Sequence, residues 1–98
     1  MFIISLTYKV DIAQIEAYLD AHKKYLQEQY DAGHFIASGR KIPRTGGVIL
    51  ARSESLETLE PILAADPFHQ HKLADYEITE FMPTAIKPPS KVGRILPQ

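Results

Sequence analysis

The sequence predicts an α+β fold of order βαββαβ: a four-stranded antiparallel sheet with two helices on one face. Three observations carry this expectation. Two segments place apolar residues three and four apart, as a helix face requires. Four short runs are apolar or alternating, as strands are. The turn residues Pro43 to Gly47 fall between the second and third of those runs, so a hairpin lies midway between the helices. Two helical crossovers around a hairpin define the split βαβ, or ferredoxin-like, arrangement. A chain of 98 residues makes one such domain.

Residues 2–8 form the first strand, with Phe2, Ile4, Leu6 and Tyr8 on one side and Ile3, Ser5 and Thr7 on the other. The first helix is expected from Asp11, a good N-cap residue, to Gly33, a good terminator. Its apolar stripe reads Ile12, Ile15, Leu19, His22, Leu26, so His22 takes a slot that suits leucine. His34 to Arg40 makes the second strand. Gly46 and Gly47 in the following turn permit positive φ, and Val48 to Arg52 makes a nearly continuous apolar third strand. Ser55 is expected to cap a second helix carrying Leu56, Leu59, Ile62 and Leu63. Pro61 implies that this helix is irregular or that its regular part begins near Glu60. Asp66-Pro67 ends it, and Phe68 to Ala74 holds a short helical turn. Asp75 to Met82 is the fourth strand. The domain is thus expected over residues 1–84, followed by an extended tail over 85–98. Residues 83–98 hold four of the seven prolines.

Composition narrows the function. Net charge is −1 with acids and bases interspersed, which excludes the clustered basic surface of a nucleic-acid binder. No apolar run approaches the roughly 20 residues that span a bilayer. The start Met1-Phe2-Ile3-Ile4 lacks a signal-peptide pattern, so a soluble cytoplasmic protein is expected. The absence of cysteine excludes disulfides, thiolate catalysis and cysteine-ligated zinc. The third strand is apolar on both sides, and Ile3 and Phe81 break the alternation of the first and fourth. A solvated sheet face alternates more cleanly. The expectation is a homodimer formed through the open sheet face, the alternative being a monomer whose tail covers it.

Two residues stand out chemically. A histidine on an apolar stripe is commonly a core residue bonded to a backbone carbonyl, but His22 is flanked by Tyr18 and Tyr25 at i−4 and i+3. Asp66 follows Leu59 by seven residues and Leu63 by three, which turns it inward from the second helix. A buried aspartate needs a hydrogen-bonding partner, and His22 would supply one while its other ring nitrogen remained free for a proton. The bland alternative is that Asp66 only caps the Asp-Pro turn. No Gly-x-Ser-x-Gly elbow accompanies the pair, so proton transfer rather than nucleophilic catalysis is the expected chemistry. Tyr18, Tyr25 and Ser38 are candidate pocket contacts. Arg40 and Arg44 flank the hairpin and could hold a carboxylate or phenolate, aided by the amides of Gly46 and Gly47, against the plainer reading of solvated turn residues. A metal site from His69, His71, Asp66 and His22 is not expected, because residues two apart diverge on a helix. No cofactor motif is present.

Ala21-His22-Lys23-Lys24-Tyr25-Leu26, Ala37-Ser38-Gly39, Pro43 to Ala51, Ala64-Ala65-Asp66-Pro67-Phe68 and Ala74 to Phe81 together resemble the YciI-like (YCII-related) family, in order and spacing, from residue 2 to about 84. The resemblance implies a dimeric ferredoxin-like α+β barrel, related in fold to muconolactone isomerases. It also implies a site built from a first-helix histidine and the aspartate of an Asp-Pro-aromatic motif, here His22 and Asp66. One relative is a dehydrochlorinase of chloroaromatic breakdown. Pro61, the histidines of Phe68-His69-Gln70-His71 and the proline-rich tail depart from the pattern.

The combined expectation is a cofactor-independent lyase or isomerase. His22 and Asp66 would perform proton transfer on a small aromatic or carbonyl-bearing metabolite. The alternative is a non-catalytic dimeric module that binds a small ligand or assists another enzyme.

Overall fold

The computed structural model describes residues 1–86 and 94–95. The main sheet contains β1 (Phe2–Tyr8), β2 (Phe35–Arg40), β3 (Gly46–Ala51) and β4 (Ala74–Glu80), in the spatial order β2-β3-β1-β4. Every neighbouring pair is antiparallel. The strand order and alternating directions are those of the ferredoxin-like arrangement. Alternation along β1 sends Phe2, Ile4 and Leu6 into the core and leaves Ile3 and Thr7 exposed.

The helical layer differs from expectation in one instructive respect. The segment before Gly33 is two helices, α1 (Ile12–Ala17) and α2 (Leu19–Asp31), broken at Tyr18. There φ is −111° and ψ is 5°, and the Tyr18 amide bonds Ile15 rather than Gln14. Ile15 and Tyr25 are buried while Ile12 is exposed, and Leu26 is only half-buried. The expected stripe Leu19, His22 and Leu26 nonetheless faces inward, each residue partly buried, while Tyr25 beside it is the buried residue of α2. Gly33, at φ +81°, closes α2 as expected: its amide bonds Tyr30 and the next amide, His34, bonds Gln29.

Ser55 caps α3 (Leu56–Ala64) in a reciprocal arrangement with Thr58. Pro61 sits inside this helix on its exposed side, so the missing amide leaves a carbonyl facing water rather than the core. The helix is thus continuous through Pro61 and does not start at Glu60. Asp66 then caps α4 (Pro67–Gln70), with Pro67 at its first position.

Gly46 and Gly47 correct another expectation. Neither adopts positive φ; both lie in β3, paired with Thr7 and Leu6 of β1. A Cβ on Gly46 would stand 1.7 Å from the Leu6 carbonyl oxygen, so close backbone approach is what glycine provides there. As ladder residues, they do not form the free loop of amides expected for an anion. Of the expected tail, Ala85–Ile86 (β5) pairs with Arg94–Ile95 (β6), and residues 87–93 and 96–98 lie outside the described part.

Candidate active site

The inward phase of α2 and the turn between α3 and α4 bring His22 against Asp66. His22 Nδ1 lies 2.8 Å from Asp66 Oδ1. The carboxylate is fully buried, and every one of its contacts has a structural origin. As the cap of α4, Oδ1 also accepts the Phe68 amide at 3.0 Å. Oδ2 accepts the Tyr76 hydroxyl at 2.6 Å, presented by the core-facing side of β4. Asp66 is thus both a helix cap and the partner of His22.

These contacts orient the imidazole. An ionised carboxylate accepts only, so Nδ1 carries the proton shared with Asp66. That leaves Nε2 as an acceptor in the neutral ring. Nε2 has no partner among the described residues, and no described buried side-chain nitrogen or oxygen lacks one, so Nε2 is on the accessible side of the ring. The ring is also clamped flat against Phe68, with centroids 4.0 Å apart and planes 3° from parallel.

His22 forms part of the wall of a cavity of about 320 Å³ between α2 and the core-facing side of β1, β2 and β3. Leu6, Leu19, Leu26 and Ile49 give it an apolar body. Ser38, Arg40 and Arg44, expected as pocket contacts, lie along the same cavity, and Lys23 joins them. Arg40 follows Ser38 by two residues and so shares its side of β2, where the register sets it beside Gly47. The Ser38 hydroxyl pairs with that of Tyr30, and Arg44 reaches Glu16 at 3.2 Å.

Tyr18 and Tyr25, also expected as pocket contacts, do not line the cavity. Tyr25 is buried and donates to the Ile62 carbonyl at 2.7 Å, pinning α2 to α3. Tyr18 stacks on His71, centroids 4.2 Å apart, at the helix break. His69 meets Tyr76 edge-on, so the two histidines of the Phe68–His71 segment serve different aromatic contacts. Burial first, and the Asp66 charge second, push the hydroxyls of Tyr25 and Tyr76 above the ordinary tyrosine range, so both remain donors.

The sequence pattern does not single out Tyr76 or Lys23 as site residues. The alternation Ala74, Tyr76, Ile78 held the signal for Tyr76, since it shares a strand side with two apolar residues. Lys23 carried none, because an exposed lysine on a helix is ordinary.

The geometry suits an acid–base centre: an oriented imidazole, a free Nε2 and a small cavity beside it. Among solved structures, the chain is similar to 5-chloro-2-hydroxyhydroquinone dehydrochlorinase (TftG) from Burkholderia phenoliruptrix AC1100, in complex with 2,5-dihydroxybenzoquinone. The TM-score is 0.71 at 17% identity, over 83% of this chain and 92% of that one, a likeness of fold. No curated protein matches by sequence. No helix among the described residues is long and apolar enough to cross a membrane. The YCII-related domain matches residues 1–82, nearly the whole described chain, and the protein belongs to that family.

Proposed function

We propose that this protein is a cofactor-independent lyase or isomerase that moves a proton on a small aromatic or carbonyl-bearing metabolite, with His22 Nε2 as the base and Asp66 as the group that orients it. The observation that carries this reading is the 2.8 Å contact between His22 Nδ1 and Asp66 Oδ1, which leaves Nε2 free on a ring that lines the cavity. Nε2 would take a proton from an acidic C–H or O–H. The electron pair released would form the new double bond while a leaving group departs with its own pair, or would be reprotonated elsewhere by the imidazolium. The fold shared with a dehydrochlorinase, which catalyses an elimination, supports this class. A positioned acid–base group of this kind contributes roughly 10²–10⁴-fold.

The protein is further proposed to act as a homodimer through the open side of the sheet. Ile3 and Val48 are exposed there and, with Leu50, form an apolar strip across the two central strands.

The ¹⁵N shifts of the His22 ring test the acid–base reading. Neutral wild-type protein is expected to show the Nδ1–H tautomer, and Asp66→Asn to change the tautomer balance. Chloride release from chlorinated hydroquinones should be catalysed by wild type and lost in His22→Gln. An Nε2–H tautomer indifferent to Asp66 would remove the proposed base. Ligand binding unchanged in His22→Gln, with no turnover by wild type, would favour a non-catalytic binding module.

A further inference from the structure

We infer that the cavity takes a small planar organic oxyanion, a one-ring phenolate, enolate or carboxylate, held chiefly by Arg40. This rests on the reading of the cavity as the substrate site and adds the charge of the ligand to it.

The first support is charge. Lys23, Arg40 and Arg44 all line the cavity, and no aspartate or glutamate does. Asp66, the carboxylate nearest His22, lies behind the imidazole rather than on the cavity wall, fully buried with its oxygens engaged by His22, the Phe68 amide and Tyr76. In a chain of net charge −1, with 12 acidic and 11 basic residues, three cations around one small cavity are a local arrangement rather than a reflection of composition. A cleft of one sign with low-dielectric walls concentrates ligands of the other.

The second support is which cation is available. Arg44 is engaged with Glu16 at 3.2 Å, whereas Arg40 makes no ion pair or side-chain hydrogen bond among the described residues. Arg40 stands on a strand rather than a loop, beside a residue without a side chain, Gly47. Its planar fork suits two oxygens of a carboxylate or the vicinal oxygens of an ionised diol or enol. Lys23 follows His22 on α2 and adds a further positive charge to the lining.

The third support is the remainder of the wall. Leu19, Leu26 and Ile49 offer nothing to a polar body, and Phe68 adds an aromatic ring. At about 320 Å³ the cavity is at the lower end of small-molecule sites. A single ring carrying the oxyanion uses both parts: ring on the apolar wall, charge at Arg40, reacting atom toward Nε2.

Benzoate and benzamide test this, being matched in shape and different in charge. Binding is measured by calorimetry and by the shifts of the His22 ring signals. Wild type is expected to bind benzoate at least tenfold more tightly than benzamide, with the preference shrinking as salt is added. Arg40→Gln should remove most of the preference by weakening benzoate far more than benzamide. Arg40→Lys should retain part of it, and Arg52→Gln, outside the cavity, all of it. Circular dichroism establishes that the Arg40 variants are folded. Equal affinity for the two probes, or a preference untouched in Arg40→Gln, overturns the oxyanion inference alone. If neither probe binds nor moves the His22 signals, the cavity is not the ligand site and the proposed function falls with it.

Discussion

Tyr76 donates its hydroxyl to Asp66 Oδ2 across 2.6 Å, joining the outer strand β4 to the carboxylate that holds His22. The burial and the nearby negative charge that raise its pKa above the ordinary 10.0 make this contact sensitive to alkali. A tyrosine whose pKa is raised on folding gives its full stabilisation below the unfolded value and loses it as pH climbs above that value. Above about pH 10 the unfolded chain has shed this proton and the native chain has not, so stability should fall by about 1.4 kcal/mol per pH unit for each such tyrosine. Tyr25, raised for the same reasons, contributes a second such proton. Urea unfolding between pH 9 and 11 checks this: Tyr76→Phe should shift less over that interval than wild type. An identical alkaline slope in the two proteins would mean that Tyr76 titrates normally.

Asp66→Ala should be far more damaging than Ser55→Ala, although both remove a helix cap. Losing the Ser55 cap at the exposed start of α3 costs about 1 kcal/mol. Losing Asp66 removes a cap and also leaves the Tyr76 hydroxyl and His22 Nδ1 without their acceptor in the interior, at about 1–3 kcal/mol for each buried group so stranded. Denaturant midpoints at neutral pH should therefore order wild type, Ser55→Ala, Asp66→Ala. Equal losses would show that Asp66 acts only as a cap.

His22→Leu separates a structural from a chemical account of this residue. The apolar stripe alone suggests that leucine would fit and stabilise. The observed contact gives the opposite sign, because leucine removes a donor from a fully buried carboxylate. A loss of about 1–3 kcal/mol is expected, measured by the same denaturant midpoints. A stabilised His22→Leu protein would return His22 to the status of a misplaced core residue.

The order of elements, the two crossovers and the inward direction of Asp66 were legible because they follow from local spacing. The break at Tyr18 and the deep burial of Tyr25 were not, because the stripe Ile15, Leu19, His22, Leu26 reads as one unbroken helix face and Tyr25 lies beside it. His22 lies on the inward side, as its place in that stripe requires. Gly46 was legible as a glycine but not in its role, since a turn and a close strand crossing both call for one, and only the register with Thr7 and Leu6 distinguishes them. Tyr76 is bound to Asp66 across ten positions and two elements, a relation that spacing along one element does not encode. Its strand alternation located it on the core side without naming its partner.

Three glycines predict a graded response to alanine. At Gly46 the new methyl would stand 1.7 Å from the Leu6 carbonyl oxygen, with backbone rather than a pliant side chain in the way, so β1 and β3 must part. Gly46→Ala should cost about 3 kcal/mol or more. Gly33 has open space but a φ of +81°, and Gly33→Ala should cost about 1–2 kcal/mol from the left-handed backbone alone. Gly39 has neither crowding nor positive φ, and Gly39→Ala should fall within about 0.5 kcal/mol of wild type. Thermal or urea unfolding of the three proteins gives the order directly.

The dimer proposed through the open side of the sheet makes the last prediction. Ile3 lies on β1, central in the sheet, opposite Leu50 on one side and Thr79 on the other, and is exposed in the single chain. A lysine there keeps its ammonium in water in a monomer, so Ile3→Lys should leave the fold intact. Between two packed sheets the same ammonium would be buried without a partner, a penalty of several kcal/mol per ion. Sedimentation velocity should therefore show a dimer for wild type and a monomer for Ile3→Lys. Glu77→Lys, at the outer strand β4, should have the smaller effect, because its position lies away from the apolar strip of Ile3, Val48 and Leu50. A wild-type monomer, or a dimer indifferent to Ile3→Lys, would place the interface elsewhere and leave this side of the sheet to water.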